Sequence, residues 1–260
     1  MSDKNRMRVT QTPSSIEAIN QEPSNTDLLS MEELSGRQTR TWNPDGYIYQ
    51  LLSQRYISDT NQQLLVVQCG TGDVAIRLAM LGYDVYGIDP DPSHIDWARE
   101  SALRHGVNNN TRFAVMNADN LLHDDERFDI IVGINALKQS ELNQTLSEIH
   151  RTLKLGGTAL FKEQIQTPLD TATAEDEVLN QTDLDMVNQT FGSIQTRRFT
   201  ILSRLDHLIP RSSEYTRSAL QKLDRKLLDL CPPMASLGAT AVINCTKSAQ
   251  NLTEGIQFAA

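Results

Sequence analysis

The stretch LLVVQCGTGDVAIRLAMLGYDVYGID, residues 64–89, decides the fold. Leu64 to Val67 form a continuous apolar run, the signature of a strand buried on both faces. The run passes into Gln68-Cys69-Gly70-Thr71-Gly72 and then into VAIRLAML, a helix pattern ended by Gly82. YDVYGID reads as a second strand that halts at Asp89-Pro90. At the glycine turn a ligand can come against bare backbone, because glycine alone permits that approach and its dihedral angles. Asp89, at the end of the next strand, is placed to accept hydrogen bonds from two ribose hydroxyls.

Downstream, the same alternation continues. Pro92-Ser93 opens a helix through HIDWARESALRHG, stopped by Gly106. TRFAVMNAD and FDIIVGI read as strands three and four. ELNQTLSEIHRTLK is a helix with Leu142, Leu146, Ile149 and Leu153 in one stripe. The pair Gly156-Gly157 is expected to end it, with TALFKE as a fifth strand. Such alternation implies a Rossmann-like, doubly wound α/β sheet, mainly parallel. Past Glu163 the rhythm breaks: a helix within Thr173–Gln189, a strand in SIQTRRFTIL, a helix in TRSALQKLDRKLLDL and a final strand in GATAVINCT are expected. These predict an antiparallel hairpin at one sheet edge, with 164–232 a lid-like insertion over the substrate.

Upstream, TWNPDGYIYQLLSQRYI predicts a helix with Ile48, Leu51, Leu52 and Tyr56 on one face. Residues 1–40 are polar, with few apolar anchors, and are expected to be disordered. The domain is therefore expected over 41–247, with a loose tail at 248–260. A formal net charge of −9 argues against broad nucleic-acid contact, which needs a cationic surface. No apolar run is long enough to span a bilayer, and none at the amino terminus suits a secretory signal. Cys69, Cys231 and Cys245 show neither pairing nor zinc spacing, so reduced thiols in a cytoplasmic protein are expected. The five histidines show no metal spacing, and His94 and His150 are expected to face solvent.

Gly70-X-Gly72-X-X-Ala75 also fits the dinucleotide fingerprint of NAD-linked oxidoreductases. Two features discriminate. One is Asn117-Ala118-Asp119 after the third strand, where a carboxylate could accept from an adenine amino group; the other is RTLKLGGTALF, residues 151–161. With these in place, residues 64–161 resemble the class I S-adenosylmethionine-dependent methyltransferases, particularly the broad small-molecule group called type 11. The segments that carry the resemblance are LLVVQCGTGDVAIRLAMLGYDVYGIDPDP, FAVMNADNL, FDIIVGINAL and LSEIHRTLKLGGTALF, in the family's order and spacing.

The resemblance implies S-adenosylmethionine as cofactor and a small-molecule acceptor. It implies that Cys69, Gly70 and Gly72 lie in the cofactor turn, the two glycines facing the cofactor's amino-acid part. Asp89 would hold the ribose, Pro90 would lie against the adenine, and Ala118 and Asp119 would border it. Asn135 would line the cleft near the methionine moiety. Three positions depart from the family: Gln68 replaces a glycine, Val66 replaces an acid, and ALKQSEL with Lys138 and Gln139 replaces a His or aromatic pair. Methyl transfer needs a base only for a weakly acidic or protonated acceptor, and Glu163 is the best-placed carboxylate. Tyr47 and Tyr49 could close the site, and Arg197, Arg198 and Arg204 add positive charge near the lid. The departures leave open a second reading, a binding or regulatory protein that keeps the fold with weak or no catalysis.

Overall fold

The computed structural model describes residues 44–56, 62–138, 141–167, 178–199 and 238–248, all within the compact unit Arg40–Ala260. The expectations for residues 1–40, for the helix in TRSALQKLDRKLLDL, for most of the lid and for the tail beyond Ser248 lie outside the described residues.

The described elements run α1 (Pro44–Tyr56), β1 (Gln63–Val67), α2 (Asp73–Met80), β2 (Asp84–Asp89), α3 (Pro92–Arg104), β3 (Thr111–Val115), β4 (Phe128–Ile134), α4 (Leu142–Thr152), β5 (Leu153–Gln164), α5 (Gln181–Phe191), β6 (Ile194–Phe199) and β7 (Thr240–Thr246). The strands form one sheet ordered β3-β2-β1-β4-β5-β7-β6. Strands β3 to β5 are parallel, while β7 runs antiparallel between β5 and β6. A dinucleotide-binding sheet in the order 3-2-1-4-5-6 has no such inserted antiparallel strand. The apolar run of β1 is wholly buried from Leu64 to Val67 because β2 and β4 flank it and helices cover both faces. Between β1 and β4 the strand order reverses direction, and a ligand crevice opens beyond the carboxyl ends of strands at such a point.

α3 forms as its sequence predicts, with the Asp91 carboxylate capping the Ser93 N–H at 2.8 Å and Pro92 in the first turn. It buries Ile95, Ala98 and Ala102. On α1 the buried face is Ile48, Tyr49 and Leu52, because the Tyr83 hydroxyl donates to the Leu52 carbonyl at 2.8 Å and draws that side against the sheet. The Lys162 ammonium, on β5, holds both oxygens of Asp45 at 2.8 and 2.9 Å.

The glycine pair at 156–157 does not end α4. The helix stops at Thr152, and β5 begins at once, with a register shift against β4 between Phe128 and Ile130. Gly156 takes φ +76°, and a Cβ on Gly157 would meet the carbonyls of Lys154 and Asp129 at 2.7 and 3.0 Å. The glycines thus shape a bulge in the strand.

β3 and β4 are joined without a helix, through residues 116–127, and Arg151 on α4 fastens that connection. Its guanidinium donates to the carbonyls of Leu121 and His123 at 2.9 and 2.8 Å, and to Asp125 and Glu148 at 2.6 and 2.8 Å. Lysine cannot reproduce this fork. Arg151→Lys is expected to lower the unfolding free energy by about 1–3 kcal/mol, read from urea denaturation; an unchanged midpoint would show that the connection does not rely on it.

Candidate functional site

The turn from β1 to α2 is built on left-handed backbone. Gln68, Gly70 and Gly72 have φ of 55°, 53° and 90°. The Cys69 N–H donates to the Ile88 carbonyl at 2.9 Å, and the Gly72 N–H to the Cys69 carbonyl at 3.0 Å. The two glycines do different jobs. Around a Cβ on Gly70 there is open space to 4 Å, so its backbone is bare to an approaching ligand. A Cβ on Gly72 would strike Ala98 Cβ at 2.9 Å, so that glycine lets α3 close on the turn. Cys69 is buried, and burial with the nearby Asp89 charge pushes its thiol up to about 12, which leaves it a neutral packing group.

Asp89 is 4% exposed at the carboxyl end of β2. Its Oδ2 accepts the Gly70 N–H at 2.9 Å, and its Oδ1 accepts the Asp91 N–H at 3.1 Å. The His94 Nδ1 also lies 2.9 Å from Oδ1. The carboxylate therefore ties the turn to the entry of α3. The Met116 N–H donates to the Asp89 carbonyl at 3.1 Å, which brings the 116–119 segment alongside. Ala118 is buried, Asp119 half-buried and Pro90 exposed.

Across the reversal point, Asn135 follows β4 with φ 48°, exposed, its N–H donating to the Lys162 carbonyl at 2.8 Å. Gln68 and Asn135 thus both hold left-handed backbone just past the ends of neighbouring strands. Strain of this kind clusters where ligands are gripped. Behind them stands Glu163, 1% exposed, whose Oε1 accepts the N–H groups of Ala136 and Leu137 at 2.8 and 3.2 Å. Burial pushes this carboxyl up to about 8, and the two backbone bonds oppose the shift without cancelling it. It is mainly protonated at neutral pH and could act as a base only in more alkaline solution. Lys138 is paired with Asp183 of the α5 capping box at 2.9 Å.

Of the remaining candidates, Tyr47 packs against Phe199 with ring centroids 5.8 Å apart and lies under Arg197, while Tyr49 is buried near Arg77. Arg198 faces a groove between α5 and β6, and Arg204 lies outside the described residues. His150 does not face solvent: its ring meets Phe191 edge-on at 5.6 Å and its Nε2 is buried. His94 also departs from expectation, being half-exposed but bound to Asp89. The sequence places His94 in the first turn of a helix entered from the end of β2, and the structure adds that its ring turns to that strand's last side chain. Among the described residues no cluster of metal-ligating side chains occurs.

A family model described as a methyltransferase domain matches residues 64–157. The ubiquinone/menaquinone biosynthesis C-methyltransferase UbiE of Zymomonas mobilis is 30% identical over 147 residues, covering 55% of this chain and 57% of that protein. The chain spans about half the length of the curated relatives it matches. The solved structure of the [4+2]-cyclase SpnF superposes with a TM-score of 0.55 at 19% identity, over 78% of this chain and 80% of that one. A geranyl diphosphate C-methyltransferase from Streptomyces coelicolor A3(2), solved with Mg2+, geranyl diphosphate and S-adenosyl-L-homocysteine, gives 0.54 at 14% identity, over 77% and 80%.

Two measurements probe the site's physics. Gln68→Gly relieves left-handed strain and should raise the unfolding free energy by roughly 0.5–1 kcal/mol; a loss of stability would show that the Gln68 side chain makes a contact worth more than the strain. For Glu163, the folded-state shift lies above the ordinary value of 4.5, so its stabilising contribution is complete below that value and declines as pH rises to about 8. Glu163→Gln keeps an acceptor for both N–H groups but removes the titration. Denaturation at pH 5 and pH 8 should therefore show a smaller loss in the variant than in the parent; equal losses would contradict the assignment.

Proposed function

We propose that this chain, whose residues 64–157 match a methyltransferase domain, is a class I S-adenosylmethionine-dependent methyltransferase that binds S-adenosylmethionine and methylates a small-molecule acceptor. The observation that carries this reading is the pairing of a bare Gly70 backbone with the buried Asp89 carboxylate at the reversal point of the sheet. The open space at Gly70 fits the cofactor's amino-acid part, and the Asp89 carboxylate suits a vicinal ribose diol. Pro90, Ala118 and Asp119 border the adenine in this reading, with Asp119 accepting from its amino group. Asn135 lines the cleft near the methionine moiety. Val66 offers no charge there and is fully buried, so recognition of the ammonium group falls to neutral donors and acceptors of the turn.

Bound S-adenosylmethionine supplies a methyl group already activated on a sulfonium. The chain's own task is then alignment: fixing the donor through the turn and leaving the carboxyl ends of β4 and β5 for the acceptor. Glu163 shapes that floor by holding Ala136 and Leu137, and it is the candidate to take a proton from the acceptor in alkaline solution. A small molecule is favoured by the net charge of −9, unsuited to a polyanion, and by relatives named for quinone biosynthesis.

A second reading, a binding protein of this fold without efficient transfer, is favoured by one observation: Lys138 and Glu163 are both engaged by the protein itself. Calorimetry with S-adenosylmethionine and S-adenosylhomocysteine tests the first reading directly. Asp89→Asn should weaken both at least about tenfold, as expected for loss of a charge-assisted bond. Unchanged affinity would refute the ribose assignment. Tight binding with no S-adenosylhomocysteine release across a panel of phenols, amines and quinols would favour the second reading.

A further inference from the structure

The carboxylate on which the ribose reading rests is shared with an imidazole. We propose that His94 competes with the ribose diol for Asp89 and thereby makes nucleoside binding pH-dependent; the inference rests on the cofactor reading above.

An ionised carboxylate offers about four acceptor positions. Gly70 N–H takes one on Oδ2 at 2.9 Å, and Asp91 N–H takes one on Oδ1 at 3.1 Å. His94 Nδ1 takes another on Oδ1 at 2.9 Å. A vicinal diol that donates two bonds needs two positions, so one present partner must yield. The two backbone donors are fixed, one by the glycine turn and one by the N-cap of α3. The imidazole is the exchangeable partner, because its side chain is 45% exposed to solvent. A second carboxylate waits for it: His94 Nε2 lies 3.9 Å from Asp91 Oδ2.

Among the described residues, the titratable groups in contact with this ring are Asp89 at the end of β2 and Asp91 at the cap of α3. The Cys69 thiol, in the β1–α2 turn beside Asp89, is kept neutral by burial and adds no charge. Protonated, the imidazole makes a charge-assisted bond to Asp89 and holds it against the diol. Neutral, it makes an ordinary bond and is displaced more readily. Nucleoside affinity therefore falls as the ring gains its proton and rises as it loses it.

The test uses adenosine, which has the diol and no group that titrates across the pH range used, with 2′,3′-dideoxyadenosine as the diol-free control. Calorimetry on the full chain from about pH 5.5 to about pH 8.5 should show the adenosine dissociation constant rising about tenfold toward the acidic end. The dideoxy control should show no such slope. His94→Ala should bind adenosine with little pH dependence, and His94→Lys, permanently charged, should bind weakly throughout. Equal slopes in the parent and His94→Ala, or the same slope with the dideoxy compound, would overturn the inference while leaving the cofactor reading intact. If neither adenosine nor S-adenosylhomocysteine bound to any variant at any pH, the cofactor reading would fail and this inference with it.

Discussion

The bond from the Gly70 N–H to the Asp89 carboxylate carries the pairing of β1 with β2, whose last backbone bond runs from the Cys69 N–H to the Ile88 carbonyl, on into the glycine turn. A carboxylate 4% exposed must have its lone pairs satisfied by the protein, and the turn after β1 and the entry of α3 supply the donors. The turn gains a fixed conformation from the same contact. Its left-handed residues then need no side chain to hold them, and Gly70 can stay bare. A ligand meeting this site meets backbone and one oriented carboxylate, both already in place.

Packing beneath the turn requires small residues at several points. Gly72 against Ala98 brings α3 close, and Gly87 of β2 admits the Phe113 ring, whose nearest atom would lie 2.5 Å from a Cβ there. Gly133 of β4 makes room in the same way for Phe161 at 2.8 Å. Such close approach leaves little slack, so a change in the turn is transmitted to neighbouring elements rather than absorbed. Gln68 and Asn135 keep costly backbone in this tight setting, and neither residue type is obliged by the strand patterns around it.

A second carboxylate organises the other side of the crevice. Glu163 holds the start of the segment after β4, and the Lys138–Asp183 pair holds its far end to the first turn of α5. Sequence spacing put Glu163 at the end of a strand, where a base is useful, but could not show that its acceptor oxygen faces two backbone N–H groups. Burial and hydrogen bonding are properties of the surroundings, and the two donors come from the segment just past β4, 26 and 27 residues away along the chain. For the same reason His94 read as a surface residue: its helical position was legible, its partner on the preceding strand less so.

By itself the amino-acid order determined the alternation of strands and helices, the glycine turn, the acid at the end of β2 and the closing antiparallel strands, because these rest on local periodicity and on the few residues that tolerate special backbone. It misread the glycine pair at 156–157 as a helix end, since a bulge and a helix stop use the same residue type. Only the tertiary structure decided which glycine is bare and which is packed, which histidine shares the Asp89 carboxylate and which backbone groups Glu163 holds. Each of those depends on atoms brought together from separate elements, and a one-dimensional pattern carries spacing along the chain but not distance across it.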